Sequence, residues 1–135
     1  MDELTKHVCD MYSKYPYPLP QARGSKLREL RNLLAIFSME NRYDLRGKSI
    51  LDAGTGTGHR VVEAAAAFKE TNFLGIDISD VSLRIARETA AYEGVQNVDF
   101  KPFNLMEAGE PLGTYDIILC MGVLHHLSKI GRAHV

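Results

Sequence analysis

The chain has 135 residues, 16 basic and 17 acidic side chains, a net charge of −1 and a hydrophobic fraction of 45%. That length suits one domain able to bury a core, and the near-neutral balance gives no field to gather nucleic acid. The hydrophobic share is that of a globular chain, the longest apolar run, "IILCMGVL" over 117–124, is too short to cross a bilayer, and the acidic start lacks the basic end and apolar stretch of a secretory signal.

A cytoplasmic protein without a membrane or nucleic-acid partner is therefore expected. Cys9 and Cys120 stand far apart in no metal or redox spacing, so both are expected as reduced, partly buried thiols. In chain order, Leu4, Val8 and Met11 recur at helical spacing, and the prolines of "YPYPLP" then stop that helix. Tyr12, Tyr15 and Tyr17 beside those prolines suit an aromatic lid over a site or an aromatic staple to the core, and both readings stand. Over residues 25–40, Leu30, Leu33, Leu34 and Phe37 form the apolar stripe of a packed helix, with Arg23, Lys26, Arg28 and Arg31 as its solvated face.

After Gly47 the rhythm changes. "SILDAG" reads as a strand, Val61, Ala65 and Phe68 as a helix stripe, and "NFLGIDIS" as a second strand. A helix over 80–93 closed by Gly94 follows, then strands in "NVDFKPF" and "YDIILCMG". Alternation of this kind predicts an α/β domain: a Rossmann-like, doubly wound parallel sheet with crossover helices on both faces, behind an N-terminal helical segment. The expected divisions are residues 1–46 for the helical or lid segment, 47–129 for the α/β domain, and 130–135 for a tail.

"LDAGTGTGHR", residues 51–60, lies at the first strand-to-helix turn, where doubly wound sheets cradle ligands. Gly54 and Gly56 let the chain take positive φ and bring amides against a ligand, while Gly58 lets the next helix pack tightly on the strand with its N-terminus toward an anionic group. Purely structural turns use glycine too, but placement between strand and helix favours the ligand reading. A dinucleotide fingerprint fails at its sixth position, which is His59. Asp52 would repel a pyrophosphate and suits a ligand carrying positive charge. Asp77, closing "LGID", is placed to accept hydrogen bonds from both hydroxyls of a ribose, since Ser79 and Asp80 already offer caps for the following helix.

These stretches, "ILDAGTGTGHR", "FLGIDIS" and "YDIILCMGVLHHL", resemble the class I S-adenosylmethionine-dependent methyltransferases in sequence and order, from about Lys48 to Leu127. The resemblance implies that Asp52, Gly54, Gly56 and Gly58 hold the methionine part of the cofactor S-adenosylmethionine, that Asp77 holds the ribose and that Ile78 packs on the adenine. It also implies a polar residue at the adenine edge, usually Asp and here Asn104. The implied reaction is in-line attack of an acceptor atom on the sulfonium methyl, which leaves the protein mainly to position the acceptor and exclude water. The alternatives are a nicotinamide-dependent dehydrogenase on the same kind of sheet and a cofactor-binding module that does not catalyse.

The base-modifying motif that such enzymes carry after the fourth strand is replaced by "CMGVLHHL", which favours a small-molecule acceptor over nucleic-acid bases. His125 is a candidate proton acceptor, and its neighbour His126 points about 100° away on a helix, so no shared metal site is expected. The family's core usually has seven strands and this chain supplies four. "IGRAHV", residues 130–135, is what ATC GGA AGA GCA CAC GTC encodes, a sequencing-adapter stretch, so this tail is expected to be non-native and the chain a fragment. On that reading, the fourth strand is an apolar edge, and this polypeptide alone binds the cofactor poorly and methylates nothing measurable.

Overall fold

The computed structural model describes residues 29–106 and 112–120. Its elements are α1 (Glu29–Asn41), β1 (Ser49–Ala53), α2 (His59–Ala67), β2 (Asn72–Asp77), α3 (Asp80–Glu93), β3 (Val98–Pro102) and β4 (Ile117–Cys120). All four strands are parallel in the order β3-β2-β1-β4. The chain thus winds outward from β1 to β3 and returns to the opposite side of β1. That reversal makes the carboxyl ends of β1 and β4 the switch point, where an open α/β sheet leaves a crevice for ligands.

Burial explains which runs became strands. In β1, Ile50, Leu51, Asp52 and Ala53 are all buried, as expected of an inner parallel strand covered on both faces. Ile50 packs with Val61, Val62, Ala64, Ala65, Phe73 and Ala90 in the larger core cluster, and Leu51 and Ala53 pack with Ile76 in a smaller one behind the sheet. Among the described residues all three helices contribute to the first side, whereas Phe103, Leu105, Leu112 and Tyr115 pack against the second. Among the described residues the helices lie on one face of the sheet. Two right-handed crossovers taken in the same direction, β1 to β2 and β2 to β3, place α2 and α3 together, and among the described residues the return to β4 supplies the cover on the other side.

Local chemistry sets the boundaries of α3 where the sequence placed them. Ser79 accepts a hydrogen bond from the Ser82 amide at 3.2 Å, and Gly94 adopts φ 68° while its N–H reaches the Ala90 and Ala91 carbonyls. The stripe of α1 is only half used. Leu30 and Leu34 are buried, but Leu33 is 51% and Phe37 39% exposed, because α1 meets α2 along one edge, with the Tyr43 ring 5.4 Å from that of Phe37. Arg31, read as part of a solvated face, reaches Glu63 on α2 at 3.7 Å with both side chains partly exposed, a pair contributing about 1 kcal/mol at most. The helix near Leu4 and the tyrosines of "YPYP" lie outside the described residues, as do Cys9, Arg23, Lys26 and Arg28. Cys120 carries a free, half-buried thiol.

One structural residue carries no local signal in the sequence. The Asn97 amide nitrogen, at the entrance to β3, donates to the carbonyls of Ala65, Phe68 and Thr71 at 3.0, 2.9 and 2.8 Å. It ties the end of α2, the turn after it and the start of β2 to the third strand. Replacing Asn97 with alanine leaves these carbonyls without that donor, so a loss of about 2 kcal/mol in denaturant-derived stability is expected. A loss below about 0.5 kcal/mol would mean that water or a shifted backbone replaces the amide.

Candidate functional site

The turn after β1 is built by three left-handed glycines. Gly54, Gly56 and Gly58 have φ of 76°, 61° and 78°, a region costly for residues with a Cβ. The Gly54 and Thr55 amides donate to the Ile76 carbonyl at 2.8 and 2.9 Å, which fastens the turn to the end of β2. Gly58 serves packing as the sequence suggested, although the partner is not β1: a Cβ there would lie 2.6 Å from the Ala86 Cβ on α3 and 3.0 Å from the Phe100 ring on β3. α2 then starts with no side-chain cap and no acid in its own first turn.

Asp52 lies beneath this turn, paired in register with Gly75 on β2 and Leu119 on β4, and is fully buried. Neither of its oxygens accepts a hydrogen bond among the described residues, and the buried hydroxyl of Thr55 has no partner either. Burial pushes the Asp52 carboxyl above the ordinary range, while the Arg60 guanidinium pulls it back. Arg60, in the first turn of α2, has Nη2 at 3.6 Å from Asp52 Oδ1 and donates to the Gly54 carbonyl at 3.1 Å. Asp52 was expected to await a cation from the ligand, and the fold already holds one beside it.

Asp77 does not cap α3, which Ser79 does. Instead its Oδ2 accepts from the Gly56 amide and its Oδ1 from the Ser79 amide, both at 2.9 Å. The carboxylate therefore clamps the glycine turn to the end of β2, and each oxygen retains acceptor capacity for a ligand. Burial raises the Asp77 carboxyl, and the backbone donors of Ser79, Gly56 and Ile78 oppose the rise. Ile78 follows half-buried at the same edge. Asn104 sits two residues past β3, where Oδ1 accepts from the Met106 amide at 2.9 Å and the buried Nδ2 donates to nothing described.

The glycine turn, Asp52, Asp77 and Ile78 are thus brought to the carboxyl ends of β1 and β2, with Asn104 just past the end of β3. His125 and His126 lie outside the described residues. The sequence reading missed Arg60 and Gly75. Arg60 had a signal: a cation in a helix's first turn is disfavoured by the macrodipole and so calls for a compensating anion. Gly75 had none, since only the fold shows that a Cβ there would meet the Phe100 ring and the Thr55 hydroxyl oxygen at 2.8 Å.

Comparison with known proteins agrees with this geometry. The family model described as a methyltransferase domain matches residues 50–134, well over half of the chain. The chain belongs to the methyltransferase-domain family. The resemblance to class I S-adenosylmethionine-dependent methyltransferases read from the sequence is therefore upheld. The domain is 36% identical over 84 residues to a ubiquinone biosynthesis O-methyltransferase of Acinetobacter baumannii, covering 62% of this chain and 35% of that protein. Among solved structures, this methyltransferase domain matches PKMT2 of Rickettsia typhi in complex with AdoHcy at 26% identity and a TM-score of 0.60, over 66% of this chain and 17% of that one. It also shares the fold of magnesium protoporphyrin IX methyltransferase from Synechocystis PCC 6803 with bound SAM, at 22% identity and a TM-score of 0.71, over 94% and 65% of the two chains. The chain spans less than half the length of the curated relatives it matches. Among the described residues no helix is long and apolar enough to cross a membrane, and no group of side chains is arranged to hold a metal ion.

Proposed function

We propose that this chain is the cofactor-binding part of an S-adenosylmethionine-dependent methyltransferase that acts on a small-molecule acceptor. The observation that carries the reading is Asp52, fully buried, its oxygens without hydrogen bonds, beneath a turn whose three glycines all have positive φ. A buried carboxylate left this way is costly, and a ligand with an ammonium group offsets that cost, whereas a pyrophosphate adds repulsion. This disfavours a nicotinamide dinucleotide.

When bound, S-adenosylmethionine supplies a sulfonium methyl open to in-line attack. The residues of this chain do the rest of the binding. Gly54, Gly56 and Gly58 let the backbone approach the amino-acid end, and Asp52 supplies the negative charge below it. Asp77, held by the Gly56 and Ser79 amides, is oriented to accept from the ribose hydroxyls. Ile78 offers an apolar surface for the adenine, and the unpartnered Nδ2 of Asn104 is a donor for an acceptor nitrogen on its edge. The Asp usual at that position would only accept, so the amide reverses the polarity of this contact. Kinship with a ubiquinone biosynthesis O-methyltransferase supports a small organic acceptor.

NMR titration of the chain with S-adenosylhomocysteine is expected to shift the amides of Gly54, Gly56, Gly58 and Ser79, and reduced nicotinamide dinucleotide is expected to leave them in place. Shifts with the dinucleotide, or with neither ligand, would overturn the reading.

A further inference from the structure

Arg60 is poorly placed by ordinary helix chemistry. It stands in the first turn of α2, where the backbone presents partial positive charge, and that turn contains no acid to balance it. Its side chain is 14% exposed, so solvent does little to support the charge. What compensates is the pair of contacts made by Nη2, one to Asp52 Oδ1 at 3.6 Å and one to the Gly54 carbonyl at 3.1 Å. One guanidinium thus spans the buried acid and the first glycine of the turn, linking β1, the turn and α2.

We infer that Arg60 is a positioning residue for the cofactor, acting through Asp52 and Gly54: it holds the Asp52 carboxylate and the turn in the arrangement that receives the ligand's ammonium end. This rests on the reading of the turn as an adenosyl cradle. Nη2 lies beside Oδ1, and Oδ2 accepts no hydrogen bond, so the carboxylate keeps an oxygen for a second cation. Without Arg60 no cation remains among the groups that shift Asp52. Asp77 on β2 repels it, and Cys120 on β4 is a neutral thiol whose own ionisation burial and Asp52 both oppose; His59 is buried just ahead of Arg60 on α2.

The sign follows from these neighbours. The folded Asp52 carboxyl titrates above its unfolded value, so its contribution to stability is fully present below the unfolded pKa and is lost as pH rises through the folded one. Removing Arg60 moves that folded value further up and leaves Asp52 protonated, hence without its attraction for an ammonium, over a wider acidic range.

Carbon-detected NMR of the Asp52 carboxyl in the ligand-free chain, with amide titrations by S-adenosylhomocysteine at a pH below and a pH above its midpoint, tests both halves. In Arg60→Gln the Asp52 midpoint is expected to rise, and affinity to fall about tenfold at the lower pH and less at the higher. Arg60→Lys, which keeps the charge and loses the planar fork, is expected to return the midpoint toward wild type and to recover part of the affinity. If the Gln variant does not fold, the Lys variant must still bind more weakly than wild type at both pH values. An unchanged midpoint in Arg60→Gln overturns the inference, as does a raised midpoint with unchanged affinity. A raised midpoint in a series whose wild type binds no S-adenosylhomocysteine removes the cradle reading itself, and the inference with it.

Discussion

Gly58→Ala is expected to lower the melting temperature of the domain by about 10 °C, a loss of roughly 2–5 kcal/mol. Two causes add. A residue with a Cβ held at φ 78° costs about 1–2 kcal/mol, and the new methyl would lie 2.6 Å from the Ala86 Cβ and 3.0 Å from the Phe100 ring, overpacking worth about 1–3 kcal/mol more. Gly94→Ala separates them, because Gly94 also has positive φ (68°) but nothing within 4 Å of where a Cβ would stand. That variant should show the backbone cost alone, about 1 kcal/mol. Adding Ala86→Gly to Gly58→Ala should recover part of the loss by removing the nearest clashing atom, a coupling readable in a double-mutant cycle. Equal melting temperatures for the Gly58 and Gly94 variants would show that α2 shifts away from α3 at little cost.

What the sequence disclosed is local. Gly94 was legible because helix caps depend on near neighbours: the periodic apolar positions of α3 end, glycine follows, and the αL turn closes on carbonyls a few residues back. The strand-helix alternation was legible for the same reason, and with it the parallel sheet and the placement of Asp52 and the glycines at its switch point. Gly58 was half legible. Its need for close packing could be read, but not that Ala86 and Phe100 press on it.

What stayed hidden is non-local. Asn97 is an ordinary polar residue before a strand until the fold brings the Ala65, Phe68 and Thr71 carbonyls to its amide. The stripe on α1 announced an apolar face without saying how much of it α2 would cover. Asp77 was read for a ligand alone, yet the same carboxylate holds the Gly56 and Ser79 amides, which also explains why β2 ends at Asp77 instead of running on to Ser79.

That double duty gives the largest expected effect on binding. Asp77→Asn replaces one carboxylate oxygen by an amide nitrogen, which donates and cannot accept, so either the Gly56 or the Ser79 amide loses its partner and a ribose can no longer be met by two charged acceptors. The Asn oxygen can still accept from one hydroxyl, and the charge-assisted bond to the other is lost; at about 1.5–3 kcal/mol for such a bond, affinity for S-adenosylhomocysteine falls about 10- to 100-fold. Stability should move much less, because the substitution also removes a carboxylate that burial already disfavours. With its folded value raised, the ionised Asp77 carries a stability cost that sets in as pH rises through that value; the wild type should therefore gain on Asp77→Asn as pH falls, while its ligand affinity declines over the same range. Ligand titrations from acidic to neutral pH beside thermal melts read both quantities. A loss of affinity below tenfold would place the ribose elsewhere, and a fall in melting temperature as large as that of Gly58→Ala would make Asp77 a structural clamp first. The opposite slopes of stability and affinity against pH are the signature of a buried acid whose charge the fold tolerates for the sake of a ligand.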